Sequence, residues 1–522
     1  MKEFNYMGTC IPGKHYMVDN AAKLEPSISL MAQGKYLTLN YPRQFGKTTT
    51  LLLLERELEK RGYLVLSLDF QGVGDAIFSE ETHFVKAFAE LMADALDRQN
   101  KELARFLLTR GAGITTLKDL SKLITEFVEK TAQKPVLLID EVDKSSNNQL
   151  FLSFLGMLRE KYLRRNAGKD YTFLSVILAG IYDVKSLKLK IREGAERKYN
   201  SPWNIAIDYP ADLAFTPAEI ETMLADYCTE QNITMDIPAI AARLHYFTSG
   251  YPFLVSRLCA LIVESIKQAT DTSWPLDYVD QAVALILREN NTNFDSLIKN
   301  LENNPDLYAL VEAILLHDVK MEYSEDNSLI KLGTIHGIFK RNTTLKIHNL
   351  VYQERIYNYL SLNLKIKSLL HKNLDNYNFE NHFLLPDNSL DFEKLLLRFQ
   401  AFMQEQYSPK DKDFVERNWR LLFLAFIKPV INGHGFDFKE AQVSEEKRLD
   451  VVITFYNRKY ISELKIWRGA EQHKQGLRQL TDYLVRQNAE KGYLVIFDFK
   501  KEPDYKQETV TVDGREIFTV WV

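Results

Sequence analysis

Cysteine is nearly absent from this chain, with three in 522 residues. Cys10, Cys228 and Cys259 are far apart and odd in number, which fits a reducing cytoplasm and argues against a cysteine-built metal site. Long apolar runs are missing too. No stretch approaches the ~18 residues a membrane-spanning helix needs, so no membrane partner is expected. Met1–Lys14 lacks the apolar core of a secretory signal. Excess positive charge is also lacking: 66 Lys and Arg stand against 70 Asp and Glu, for a net charge of −4. Any contact with nucleic acid must therefore come from local basic patches. Neither a low-complexity linker nor a repeat marks domain boundaries, yet the length suffices for three or four domains.

What is present begins with a phosphate-binding pattern. Tyr36–Asn40 reads as a short apolar strand and Thr49–Lys60 as a helix. Between them lies Tyr41-Pro42-Arg43-Gln44-Phe45-Gly46-Lys47-Thr48. A strand, a loop, Gly-Lys-Thr and a helix are the context in which helix N-terminal amides cradle phosphates. There Lys47 reaches the β- and γ-phosphates and Thr48 ligates Mg²⁺. A second element strengthens the reading. Pro135–Ile139 is an apolar strand closing in Asp140-Glu141-Val142-Asp143. Asp140 would hold the Mg²⁺ shell and Glu141 would polarise the attacking water. Strands at Leu64–Asp69, Phe173–Ala179 and Asn204–Tyr209 alternate with helical stretches such as Thr82–Leu96 and Leu117–Thr131. That alternation predicts a parallel sheet covered on both faces. A polar sensor at the tip of the fourth strand is not apparent in Ala179-Gly180-Ile181, although Tyr182, Asp183 and Lys185 follow closely.

Together Tyr41–Thr48 and Val136–Asp143 resemble the bacterial AAA-like ATPases whose loop reads x-P-R-x-x-G-K-[ST], allied to the AAA+ and STAND nucleotidases. Tyr41 stands where the general pattern has its first Gly, as is usual in that group. Cys10–Asp19 is similar to the segment that precedes the loop there. The resemblance implies ATP and Mg²⁺ as cofactors, with Pro42, Arg43, Gly46, Lys47, Thr48 and Asp140 around them. Gly250-Tyr251-Pro252 opens a helix similar to the G-x-P module of the same group, which implies Pro252 near the base and Arg257 as a γ-phosphate sensor. Thr216–Leu287 reads as a helical lid. Leu307–Leu316, Ile330–Phe339, Thr344–His348 and Tyr352–Leu360 suggest a winged-helix-like module of modest basicity.

The C-terminal region carries a second constellation. Leu449–Phe455 and Tyr460–Trp467 are rich in β-branched and aromatic residues and read as a hairpin with Asn457-Arg458 at its tip. That register sets Asp450 opposite Lys465 and Val452 opposite Glu463. Side chains alternate along strands, so Asp450, Glu463 and Lys465 share one solvated face, with Val451, Ile453, Phe455, Leu464 and Ile466 on the buried one. Two carboxylates and an ammonium suit a Mg²⁺ site beside a lysine that orients water for phosphodiester attack. A cross-strand ion pair between Asp450 and Lys465 is the alternative. Gln479 and Tyr483 follow on a helix, and Gly492–Phe499 forms a further strand. In this order the region resembles the PD-(D/E)xK nuclease superfamily, with Glu463-x-Lys465 as its E-x-K element, Gln479 and Tyr483 as its Q-x-x-x-Y signature, and Leu449 where that motif has Pro. Glu440 and Glu416 compete to be the additional acid, and the sequence does not choose between them.

The expected architecture is a multidomain α/β protein: a P-loop parallel sheet (1–215), a helical lid (216–292), a winged-helix-like middle (293–368) and an α/β PD-(D/E)xK nuclease-like domain (369–522). The expected function is an ATP-binding and hydrolysing switch with a metal-dependent nuclease effector acting on nucleic acid, DNA above RNA, and assembling as a homo-oligomer. By analogy alone, such chains suggest defence against foreign DNA. An ATP-dependent regulator that binds nucleic acid without cutting it is the alternative. A mechanical AAA+ motor is disfavoured by the lack of a pore-loop signature.

Overall fold

The computed structural model describes residues 2–145, 148–181, 203–316 and 321–371, then 383–406, 419–427, 435–438, 442–444, 447–448, 451–455, 458–467, 469–487, 489–499 and 504–522, except 384, 388, 420–421 and 425. The chain divides into two compact units, Met1–Asn300 with Tyr323–Leu350, and Leu301–Glu322 with Val351–Val522.

The first unit is built on β1 (Leu37–Asn40), β2 (Leu64–Asp69), β3 (Pro135–Asp140), β4 (Ser175–Gly180) and β5 (Ile207–Asp208). They form one sheet in the order β2-β3-β4-β1-β5, with every pairing parallel. All residues of β3 and β4 are buried. This explains why these strands read as unbroken apolar runs rather than alternating ones. Helices α1 (Ala21–Ala32), α2 (Lys47–Lys60), α3 (Glu81–Leu96), α4 (Lys101–Gly111), α5 (Leu117–Lys130) and α6 (Gln149–Asn166) accompany the sheet. The α5 helix starts at a reciprocal capping box, Thr116 with Asp119. Phe70, Phe78, Phe84, Phe88, Phe151 and Phe154 interlock in the core with ring centroids 4.7–6.2 Å apart. From β1 the chain crosses to the far edge at β2 and returns through β3 and β4, so the strand order reverses beside β1. In such sheets ligands sit outside the carboxyl ends of the strands at that point.

The lid follows as α7 (Pro217–Gln231), α8 (Ile237–Thr248), α9 (Pro252–Leu261) and α10 (Asp277–Arg288), stapled by the short parallel pair β6 (Thr234–Met235) and β7 (Ser273–Trp274). Next come α11 (Thr292–Glu302), α12 (Pro305–Leu316), α13 (Ser328–Ile335), β8 (Phe339–Lys340), β9 (Lys346–Ile347) and α14 (Leu350–His371). The α13 helix and the antiparallel β8–β9 hairpin belong to the first unit, whereas α12 belongs to the second.

The second unit contains α15 (Phe392–Gln406), a small hairpin of β11 (Gln442–Ser444) and β12 (Lys447–Arg448), and a six-stranded sheet. That sheet comprises β10 (Gly435–Phe438), β13 (Val451–Phe455), β14 (Arg458–Ile466), β15 (Lys491–Phe497), β16 (Gln507–Val512) and β17 (Arg515–Trp521), ordered β10-β13-β14-β15-β17-β16. The central pairings β14–β15 and β15–β17 are parallel, and the outer ones antiparallel. One face packs on α15 through Phe392 against Tyr493 (4.7 Å) and Phe399 against Phe497 (6.0 Å). The helix Ala470–Arg486 covers the other, setting Leu480, Tyr483 and Leu484 against Val452, Ile461, Leu494 and Ile496. Both faces are therefore covered, which corrects the expectation that the Glu463 face is solvated.

Candidate functional sites

The first site lies where β1 hands over to α2. Gln44 and Gly46 both adopt left-handed backbone, with φ of 54° and 86°. These turns curl the loop so that Lys47 folds back over it. The Lys47 Nζ donates to the carbonyls of Tyr41 at 3.0 Å and Pro42 at 2.9 Å. Burial lowers the Lys47 pKa, and the carboxylates of Asp143, Glu141 and Asp140 oppose that shift. One residue on, the Thr48 hydroxyl donates to Asp140 Oδ2 at 2.6 Å. The two groups the sequence assigned to one ion are thus in direct contact across α2 and β3. Asp140 Oδ1 accepts the amide of Glu141 at 2.9 Å, and Glu141 itself has φ of 55°. Burial raises the pKa of both Asp140 and Glu141.

At the tip of β4 the structure supplies a polar group that the local sequence lacks. Asp143 Oδ2 accepts the Ile181 amide at 2.6 Å, and Asp143 Oδ1 lies 2.8 Å from where a Cβ on Gly180 would be. The strand end stays small because the carboxylate of the neighbouring turn lies over it. Tyr182, Asp183 and Lys185 lie outside the described residues.

Two distant segments close over the loop. In the lid, Gly250 has φ of 73°, and the Phe215 amide donates to its carbonyl at 2.8 Å. This turn delivers the Tyr251 hydroxyl onto the Arg43 carbonyl at 2.5 Å and Pro252 Cγ to 4.0 Å from a Cβ placed on Gly46. From the far side Gly337, between α13 and β8, lies 3.0 Å from Pro42 Cβ, measured from a Cβ placed on the glycine. His348 lies edge-on to Phe45 (5.7 Å) and Tyr251 (5.3 Å), and burial pushes its pKa down to about 3, so it is neutral there. His336 is also lowered by burial, with the nearby Arg43 charge adding to it. The sequence reading gave no role to Asp143, Tyr251, His336 or His348, although the first two lie inside the motifs it singled out.

Arg257 lies in a network of its own. Its guanidinium donates to both oxygens of Glu289 and, at 2.9 Å, to Glu264, while stacking 4.2 Å over Tyr6. It ties α9 to the end of α10 and to the N-terminal segment. These contacts make it a clasp within the lid.

The second site is on β14. Val451 pairs with Ser462, Val452 with Ile461 and Phe455 with Arg458. This register is two residues away from the expected one and leaves two residues between the strands. The shorter connection lets Phe455 and Arg458 join the ladder, and a two-residue shift leaves every side chain on its expected face. Glu463 is 2% exposed, and its Oε1 lies 2.7 Å from Lys465 Nζ, which reaches the half-exposed rim. The helix Ala470–Arg486 passes close by at Gly476, where an added Cβ would stand 3.8 Å from Lys465 Cγ. Gln479 is half-buried one turn further and Tyr483 is in the core. Asp450, Glu440 and Glu416 lie outside the described residues. Among the described residues no three His, Cys, Asp or Glu side chains cluster as metal ligands. No described helix is long and apolar enough to cross a membrane.

A parallel α/β sheet with a Lys-Thr loop after β1 and an acidic end to β3, one strand removed, defines a nucleotide-binding class. A model of the AAA-like domain family matches residues 13–357, and the chain belongs to that family. It is 21% identical over 350 residues to an uncharacterized WD repeat-containing protein of Synechocystis, a match spanning 63% of this chain and 28% of the relative. Among solved structures it is similar to the Walker-type ATPase of Pyrococcus abyssi at 13% identity, with a TM-score of 0.43, covering 68% of this chain and 99% of that one. It is also similar to the RuvB branch-migration motor of Thermotoga maritima at 14% identity, with a TM-score of 0.35, covering 66% of this chain and 95% of the other.

Proposed function

We propose that the chain is an ATP-hydrolysing switch whose C-terminal unit is a metal-dependent nuclease. The observation that carries the ATP reading is the contact of Thr48 with Asp140, beside a buried Lys47 held by its own loop carbonyls. These groups fit MgATP. Thr48 and Asp140 would hold Mg²⁺, which when bound offsets charge on the β- and γ-phosphates. Lys47 would exchange the Tyr41 and Pro42 carbonyls for phosphate oxygens, and Glu141 would orient the attacking water. Expected domains are those at 1–215, 216–292, 293–368 and 369–522.

For the nuclease, support comes from Glu463 and Lys465 touching on one strand beneath the Gln479 and Tyr483 helix. Glu463 would hold the ion with Asp450 and either Glu440 or Glu416. Lys465 would then turn to the water and the scissile phosphate. A second reading, binding without cleavage, is favoured by the deep burial of Glu463 against its lysine. Plasmid and single-stranded DNA incubated with and without Mg²⁺ or Mn²⁺, and with and without ATP, separates the two. Cleavage that needs the metal and is lost in Glu463→Gln supports the nuclease. Retarded but intact DNA under every metal condition supports the second reading. Nucleotide state is expected to change assembly or cleavage, so identical cutting and oligomer size with ADP and a slowly hydrolysed ATP analogue would remove the switch from this account.

A further inference from the structure

Arg257, the cation expected to meet the terminal phosphate, is held by Glu289 and Glu264. A replacement lies inside the loop itself. Arg43 is exposed, and among the described residues its guanidinium forms no ion pair or hydrogen bond. It directly follows Pro42, whose carbonyl takes the Lys47 ammonium at 2.9 Å, and its charge acts on Lys47, on Glu141 and on His336. Its backbone is held from two sides while its side chain is not. The Tyr251 hydroxyl grips the Arg43 carbonyl at 2.5 Å, and the adjoining Pro42 lies 3.0 Å from where a Cβ on Gly337 would be.

We propose that Arg43 is the cation that distinguishes ATP from ADP in this chain, acting in cis from within the phosphate loop. The proposal rests on the reading of this loop as an ATP site. A planar guanidinium can take two oxygens of a terminal phosphate at once, which ADP does not offer at that place. Because Pro42 and the Arg43 carbonyl are pinned by the α13–β8 turn and by the lid, a change of guanidinium position would be felt by both segments. The sensing residue and the parts it would move are thus joined through two consecutive residues.

The test is nucleotide affinity by calorimetry on the full chain with Mg²⁺, for ATP and ADP separately, in the parent, Arg43→Ala, Arg43→Lys, Arg257→Ala and Lys47→Ala. Arg43→Ala is expected to weaken ATP on the order of ten- to hundredfold and leave ADP within about threefold, matching the loss of one charge-assisted bidentate contact. Arg43→Lys should restore part of the difference. Arg257→Ala should lower the melting temperature and keep the ATP-to-ADP ratio. Equal weakening of both nucleotides in Arg43→Ala, or transfer of the preference to Arg257→Ala, overturns the proposal. A parent that binds neither nucleotide removes the ATP site itself, and Lys47→Ala binding both as the parent does removes the assignment of the loop.

Discussion

Replacing Gly250 by alanine should cost the first unit far more than a positive φ alone explains. The position has φ of 73°, and an added Cβ would stand 2.0 Å from the Phe215 carbonyl oxygen and 2.8 Å from the Phe215 nitrogen. Ordinary contact begins near 3.4 Å, so the two backbones must part by more than an ångström. That movement breaks the Phe215 amide bond to the Gly250 carbonyl, worth about 1 kcal/mol. Left-handed backbone adds roughly 1–2 kcal/mol for a residue with a Cβ. Residual strain of an overfilled site adds roughly 1–3 kcal/mol. Together these predict a loss of roughly 3–6 kcal/mol. Gly62 is the internal control: it has φ of 84° with nothing within 4 Å, so Gly62→Ala should show the left-handed cost alone, roughly 1–2 kcal/mol. Urea unfolding followed by tryptophan fluorescence compares them, since Trp203 and Trp274 are both buried in this unit. ATP affinity should fall in Gly250→Ala and hold in Gly62→Ala, because Tyr251 and Pro252 ride on the damaged turn. Equal losses for the two variants would refute the steric reasoning.

Other outcomes follow from the same geometry. Glu141→Gln should bind ATP like the parent and lose turnover, checked by a binding titration beside phosphate release. Burial raises the Glu141 carboxyl pKa, while Lys47 and Arg43 hold it down. The acid limb of kcat/KM should therefore lie above the usual 4.5 of a glutamate and move higher still in Arg43→Ala, and a limb at or below 4.5 would contradict that burial. In the second unit, Lys465→Ala removes an ion pair from a carboxylate that is 2% exposed and should lower unfolding stability by roughly 1–3 kcal/mol, whereas Lys465→Arg should recover most of it. No change in the unfolding midpoint for Lys465→Ala would mean that Glu463 is better solvated than its position implies.

Much of the first unit was legible because its signals are local. An apolar strand running into Gly-Lys-Thr, and another closing in Asp-Glu, need neighbours only a few residues away. The closures over the site were hidden because they depend on distant pairs: Pro42 with Gly337, Arg43 with Tyr251, and Arg257 with Glu289. The Arg257 pairing with Glu289 spans 32 residues and leaves no local signal. The hairpin register slipped by two because Tyr456, Asn457 and Arg458 all tolerate a turn, while alternation fixed the faces securely. The β16–β17 hairpin was missed although its signal was present. Asp513 and Gly514 have φ of 49° and 75° and sit between alternating runs, a turn signature with a defined physical reason. The covered face above Glu463 could not be read from strand alternation, because the amphipathic helix that buries it contributes its apolar stripe from outside the hairpin.

The interleaving of the two units has a consequence for how the chain is made. Residues 323–350 belong with the first unit although they follow a segment of the second. A ribosome adding ~5–20 residues per second needs roughly 15–60 s to travel from the phosphate loop to residue 350. Throughout that interval Pro42 and Phe45 are without Gly337 and His348, the neighbours that cover them in the finished fold. Fragments ending near residue 300 would stay permanently in that unfinished condition, so their solubility, more than their catalytic competence, would decide what such a truncation could report.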